Sequence, residues 1–238
     1  VEEKTTCDII DLNLGCPVKK VLKAFSGAYL LQDVIKVEEI VAKVVKAVTK
    51  PVSVKIRAGW HHEHINCIEI AEACERAGAS LIAIHGRTKT DLYHGKVNLD
   101  YIKLVKESVK IPVIGNGDIK SLDEAIKMID YTGVDAIMIG RGTFGNPWLV
   151  SEIDCYFKGN SFTPPTMEEK LQMLMCHFEE LIKLKGEKLA ILEMRTLASY
   201  YVKGFSNIKE FRQKLRDVQN YQEFKSIVGL LYINEEKR

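Results

Sequence analysis

No apolar run in the 238 residues is longer than a strand needs, so nothing in the chain spells a membrane-spanning helix. Prolines number only six and no low-complexity tract occurs, which argues against disorder. Charge of neither sign dominates: 34 Lys+Arg against 32 Asp+Glu leave a formal +2, so bulk charge selects no partner. The six cysteines, Cys7, Cys16, Cys67, Cys74, Cys155 and Cys176, form no C-x-x-C pair. Scattered like this, they read as reduced, buried thiols of a cytoplasmic protein, not as a disulfide framework. His61, His62 and His64 lack H-E-x-x-H spacing and read as solvated loop histidines, His64 being the candidate to approach a substrate. No metal site is expected. The chain opens on Val1 with no apolar leader behind it, as a fragment or a processed chain would.

What is present is a repeated alternation of strand and helix. Five short apolar runs recur at 8–14, 52–56, 81–84, 111–114 and 136–139. Each is continuous, as suits strands buried on both faces of a parallel sheet. Between them lie helical patterns over 37–48, 63–77 and 121–130; Gly78 is placed to end the second, and Ser121 with Glu124 has capping-box spacing. Alternation of this kind means an α/β fold with right-handed crossovers. The expected architecture is a (β/α)8-type barrel of which five βα units are present, and an open doubly wound sheet is the alternative. Past Trp148 the period changes. Residues 159–166 read as a linker after a first domain of 1–158, and 167–238 as an all-helical domain opening on Thr166 and Glu169.

Polar groups gather at the C-terminal ends of the strands, where barrel active sites are built. They are Asn13 and Cys16, Lys55 and Arg57, His85 and Arg87, Asn116 and Asp118, and Arg141. Gly15 lets the chain turn and Pro17 stiffens the exit, so Cys16 is expected on this rim rather than in the core. There it could act as nucleophile, metal ligand or general acid, and with no second Cys or His nearby a metal is disfavoured. Lys55 and Arg57 share a strand face and suit an anionic ligand. Paired N-G-D (116–118) and G-R-G (140–142) loops suit a phosphate held by backbone N–H groups. From Lys183 to Arg216 nine Lys+Arg face three Asp+Glu, with Tyr200, Tyr201 and Phe205 interleaved. That composition fits either a solvated helix face over core tyrosines or a surface for phosphates and bases.

Together these motifs resemble the tRNA-dihydrouridine synthases, most closely the bacterial B-type branch. The matching stretches are D-I-I-D-L-N-L-G-C-P-V-K-K-V (8–21), P-V-S-V-K-I-R-A-G-W (51–60), I-H-G-R-T (84–88), P-V-I-G-N-G-D-I (112–119) and M-I-G-R-G-T-F-G-N-P-W (138–148), with E-M-R (193–195) and Y-V-K-G (201–204) beyond them. The resemblance implies an FMN-binding barrel joined to a helical tRNA-binding domain, with NADPH as reductant and a uridine C5=C6 bond as substrate. It implies Cys16 as the proton donor to C5 and Asn13 as a uracil contact. Lys55, His85, Asn116, Gly117, Asp118, Gly140 and Arg141 become FMN contacts, and Arg57, Arg87, Arg195 and Lys203 substrate or tRNA contacts. An ordinary thiol, pKa ~8.5, is protonated at neutral pH and can serve as such an acid. A base reduced inside a barrel mouth must first leave its stack. A closed barrel needs eight strands and only five are legible. The chain is therefore expected to be a piece of a longer protein, or to need a partner supplying the rest. The competing readings are an inactive RNA-binding fragment and an FMN-dependent barrel oxidoreductase acting on a small molecule.

Overall fold

In the computed structural model, which describes residues 4–236 and side chains through Tyr232, the five apolar runs become the strands of one parallel sheet. The chain divides into two compact units, Val1–Gly140 and Arg141–Arg238.

The first unit runs β1 (Ile10–Asn13), α1 (Lys19–Lys23), a 3₁₀ segment (Gly27–Gln32), α2 (Val34–Ala47), β2 (Val52–Arg57), β3 (Gly59–His61), β4 (His64–Ile65), α3 (Cys67–Arg76), β5 (Leu81–His85), α4 (Leu99–Ser108), β6 (Val113–Asn116), α5 (Leu122–Thr132) and β7 (Ala136–Met138). The sheet order is β1-β2-β5-β6-β7, every pair parallel. Among the described residues that order follows the sequence without reversal, as in a (β/α) barrel and unlike a doubly wound sheet, whose order reverses at a switch point. Helices α2 to α5 pack neighbour on neighbour, and α3 to α5 pack in turn on successive strands. Toward them the strands send alternate apolar residues, among them Val54, Ile56, Ile82, Ile84 and Val113, all fully buried. Each such side chain contributes about 1.5–3 kcal/mol by leaving water. This is the architecture of part of a (β/α) barrel. Among the described residues β1 and β7 form its two open edges.

Two expectations need correction here. The helix read over 63–77 begins only at Cys67, because His64 and Ile65 pair with Gly59–His61 in a two-stranded hairpin. A Cβ at Gly59 would lie 2.2 Å from the His64 carbonyl oxygen, so the hairpin depends on a glycine where two backbones cross. The cysteines are not uniformly buried either: Cys67 and Cys74 are, Cys176 is exposed, and Cys7, Cys16 and Cys155 are intermediate. Burial pushes the thiols of Cys67 and Cys74 up to about 11 and about 12.

The second unit opens with a 3₁₀ turn (Arg141–Thr143) and continues through α6 (Trp148–Phe157), α7 (Met167–Lys185), α8 (Glu187–Tyr201), α9 (Ile208–Asp217) and α10 (Tyr221–Glu236). The sequence sets its linker at 159–166, and the division between compact units falls at Gly140. Thr166 starts α7 with a reciprocal cap: its Oγ1 accepts from the Glu169 N–H at 3.2 Å, and Glu169 Oε2 accepts from the Thr166 N–H at 2.7 Å. Leu174, Phe178, Met194, Ala198 and Phe224 fill the core of this unit, with the Phe178 and Phe224 rings 4.3 Å apart.

Candidate active site

The ladder of the sheet sets polar side chains next to each other along its C-terminal rim. Asn13 is in register with Lys55, Arg57 with His85, and His85 with Asn116. Because side chains alternate, these residues share the face turned away from the helix layer. Beyond β1, Asn13 Oδ1 accepts from the Gly15 N–H at 3.0 Å and turns the chain toward Cys16. The Cys16 carbonyl then accepts from the Ala28 N–H at 3.0 Å. At Gly27, with φ +61°, a Cβ would stand 2.7 Å from the Cys16 carbonyl oxygen and 3.0 Å from its Cβ. Gly27 is thus a seat for Cys16 that sequence reading misses, since nothing local marks a glycine 11 residues away as its neighbour.

Two buried arginines frame the site. Arg57 donates from Nε to the Gly15 carbonyl (2.8 Å) and from Nη1 to the carbonyls of Thr88 (2.9 Å) and Leu92 (3.0 Å). It ties the loop before Cys16 to the loop after β5. Arg87 donates from Nε to the His94 carbonyl (3.0 Å), from Nη2 to the Gly95 carbonyl and Asp118 Oδ2 (both 2.6 Å), and from Nη1 to Asp118 Oδ1 (3.0 Å) and His85 Nε2 (3.4 Å). Those five contacts use all five N–H groups of the guanidinium. Asp118 also accepts from the Val97 N–H at 3.0 Å. It takes a left-handed φ of +52°, and Gly117 before it has φ +131°. A Cβ at Gly117 would sit 2.6 Å from Val97 Cγ2 and 3.0 Å from His85 Cδ2, so that glycine admits the His85 ring. Asn116 Nδ2 donates to the Met138 carbonyl at 2.7 Å.

The electrostatics follow from this crowding. Burial, then the positive charges of Arg57, Lys55 and Arg87, pull His85 down to about 3, with Asp118 opposing. His85 is neutral at pH 7. Arginine can only donate, so His85 Nε2 is the acceptor and the ring proton sits on Nδ1. Burial, then the charge of Arg57, lowers Lys55 to about 7, with Asp11 opposing. Asp11 is held by Ser53, whose Oγ donates to Oδ1 at 2.7 Å. The result is a rim with a cation poised to lose its proton, a neutral histidine and a thiol loop.

The other predicted site residues follow β7 or belong to the second unit. Gly140 closes the first unit and Arg141 opens the second. Arg195, on α8, donates from Nη2 to the Val218 carbonyl at 2.9 Å, and its Nε is buried without a hydrogen-bond partner. Lys203 Nζ lies 5.4 Å from the centroid of the Tyr200 ring. Of the three clustered histidines, His62 meets Asp91 at 2.8 Å. Among the described residues no group of three or more acidic, His or Cys side chains comes together as for a metal ion.

The sequence signature of the dihydrouridine synthases (Dus) extends over residues 1–235. The chain belongs to the dihydrouridine synthase family. Its relatives include tRNA-dihydrouridine synthase B of Pasteurella multocida, 39% identical over 235 residues that make up 97% of this chain and 71% of that protein. The enzyme of the same name from Shewanella oneidensis is 41% identical over 92% of this chain and 68% of its own length. A probable tRNA-dihydrouridine synthase of Rickettsia conorii is 42% identical over 86% of this chain and 62% of its own. The family chain described here thus spans about two thirds of these relatives' length. No helix among the described residues is long and apolar enough to cross a membrane.

Proposed function

We propose that this chain is the greater part of a tRNA-dihydrouridine synthase that reduces the C5=C6 bond of a uridine in tRNA. The observation that carries the reading is Cys16, held on the rim of the sheet beside the row Asn13–Lys55 and Arg57–His85–Asn116, in a chain of this family. When bound, FMN reduced by NADPH supplies hydride for C6 of the uracil. The residues present fit such a group. Lys55 is a half-buried cation for an anionic ring edge, and His85 offers an N–H at Nδ1 without the cost of a second buried charge. Asn116, Gly117, Gly140 and Arg141 are assigned to the FMN phosphate. Asp118 belongs to the same loop but acts through Arg87, because a carboxylate turned to a phosphate would repel it.

Asn13 orients the uracil. Cys16 gives its thiol proton to C5 as C6 gains hydride, and the thiolate then recovers a proton from water. Arg57 and Arg87 have their donors turned onto loop carbonyls, and we assign them to positioning the Cys16 and His85 loops. The basic stretch 183–216, with Arg195 and Lys203, is assigned to tRNA. The free edges of β1 and β7 are where further strands, from the same protein or a partner chain, would extend the sheet toward closure. Free thiols throughout suit a reducing cytoplasm.

The test is Cys16→Ala, assayed for FMN retention by visible absorption and for dihydrouridine formed in unmodified tRNA. The expected outcome is unchanged flavin and a loss of reduction of about 10²–10⁴-fold, the range of a lost general acid. Reduction at the unsubstituted rate would remove Cys16 from the mechanism.

A further inference from the structure

The loop that seats Cys16 also displays an aromatic side chain that the core does not use. Phe25 follows α1, is 63% exposed and has φ +53°. A bulky residue in the left-handed region is strained, and no burial offsets that strain at this position. Strain of that kind concentrates where ligands are gripped.

The ring does not stand alone. Phe25 meets Tyr29 edge-on at 5.1 Å between centroids, Tyr29 meets Trp60 edge-on at 6.2 Å, and Lys89 Nζ lies 4.4 Å from the Trp60 centroid. The row starts at the candidate active site, because Ala28, between Phe25 and Tyr29, is bonded to the Cys16 carbonyl. The short helix α1 adds Lys19, Lys20 and Lys23, all exposed, and buries no residue of its own. No acidic residue occurs between Asp11 and Asp33, so nothing in that stretch neutralises these charges.

Flat rings beside exposed lysines match the chemistry of single-stranded nucleic acid, whose bases stack and whose phosphates seek cations. We propose that Phe25 and the lysines of α1 form a single-stranded RNA contact next to Cys16, where a base flanking the target uridine stacks on Phe25. The proposal rests on the reading of tRNA as the substrate. It adds a contact in the sheet-bearing unit to the one assigned to the helices. An extruded uridine leaves unstacked neighbours, and Phe25 would take one of them.

The discriminating variant is Phe25→Gly. Glycine adopts φ +53° without strain, which offsets the extra freedom it gives the unfolded chain, so removing the ring this way leaves the melting temperature nearly unchanged. Binding of unmodified tRNA, and of a short uridine-containing single-stranded oligonucleotide, should weaken about tenfold, as for one lost base–aromatic stack. Phe25→Trp should restore it. Replacing Lys19, Lys20 and Lys23 with Ala should reduce the slope of log K against log salt by about 2, at roughly 0.7 per phosphate contact in single strands. If the unsubstituted chain binds tRNA and Phe25→Gly binds equally well, the surface is refuted while tRNA recognition stands. A lowered melting temperature with unchanged affinity assigns the ring to packing and also refutes it. If the unsubstituted chain binds neither RNA, both the surface and the tRNA reading fail together.

Discussion

Arg87 and Asp118 meet through two parallel hydrogen bonds, Nη1 to Oδ1 at 3.0 Å and Nη2 to Oδ2 at 2.6 Å. The pair joins the loop after β5 to the loop after β6 and sets the acceptor side of His85. Only 2% of the Arg87 side chain is exposed, so its charge has no recourse to water if the carboxylate is lost. Removing one partner of a buried pair costs about 3–5 kcal/mol. Asp118→Ala should lose stability of that order in chemical denaturation, and Asp118→Asn less, since its amide oxygen still accepts. Loss of less than ~1 kcal/mol in the alanine variant would contradict the buried-pair account.

The same pair sets an acid limit. Burial alone would raise Asp118, but the Arg87 hydrogen bonds, the Val97 N–H and the charges of Arg87 and Lys120 outweigh it, and the carboxyl is held below its ordinary value of 3.8. A depressed folded pKa means stability that is present above the unfolded value and lost as pH falls below it. The contribution should therefore persist down to about pH 4 and fade beneath it. Subtracting the Asp118→Asn stability curve from that of the unsubstituted chain isolates this term.

Lys55 gives a slope of the same sign in an alkaline window. Its folded value, about 7, lies below the ordinary 10.5, so the unfolded chain binds more protons between those limits and stability rises with pH across that window. Lys55→Gln should flatten the rise. Binding of an anion at the rim favours charged Lys55, so FMN affinity should fall as pH climbs past 7, and FMN titrations in buffers of different ionisation enthalpy should register proton uptake. Affinity independent of pH from 6 to 9 would exclude Lys55 from the anion site.

Gly27 is predicted to be irreplaceable at the Cys16 loop. Alanine there meets a left-handed φ and a carbonyl 2.7 Å from its Cβ, so the loop must shift. Gly27→Ala should destabilise by about 1–3 kcal/mol and change the rate at which Cys16 is alkylated by a neutral thiol reagent. An unchanged rate would mean that Cys16 does not depend on this seat.

In the helical unit, Arg195 holds the Val218 carbonyl between α9 and α10. Arg195→Ala should cost about 1–3 kcal/mol, through an acceptor left without its donor. Its effect on tRNA binding should be read only after the folded fraction is measured by circular dichroism. A stable Arg195→Ala protein with weakened, less salt-sensitive binding would show a direct RNA contact instead.

The sequence by itself determined the five strands of the sheet and several helices, though not the hairpin of β3 and β4. Continuous apolar runs flanked by 3.6-period segments named the five strands, and Thr166 with Glu169 marked the start of α7, because these signals are local and need no distant partner. It also placed polar residues at the strand ends, where register makes Lys55, Arg57, His85 and Asn116 neighbours. Only tertiary structure decided what those residues touch. Arg57 and Arg87 look like free cations in sequence, yet they bond loop carbonyls up to 42 positions away. Gly27 and Gly59 look like ordinary loop glycines until a second backbone comes within contact. Lys55 and His85 carry ordinary side chains whose lowered pKa values arise from burial beside other cations, and burial is a property of the assembled sheet.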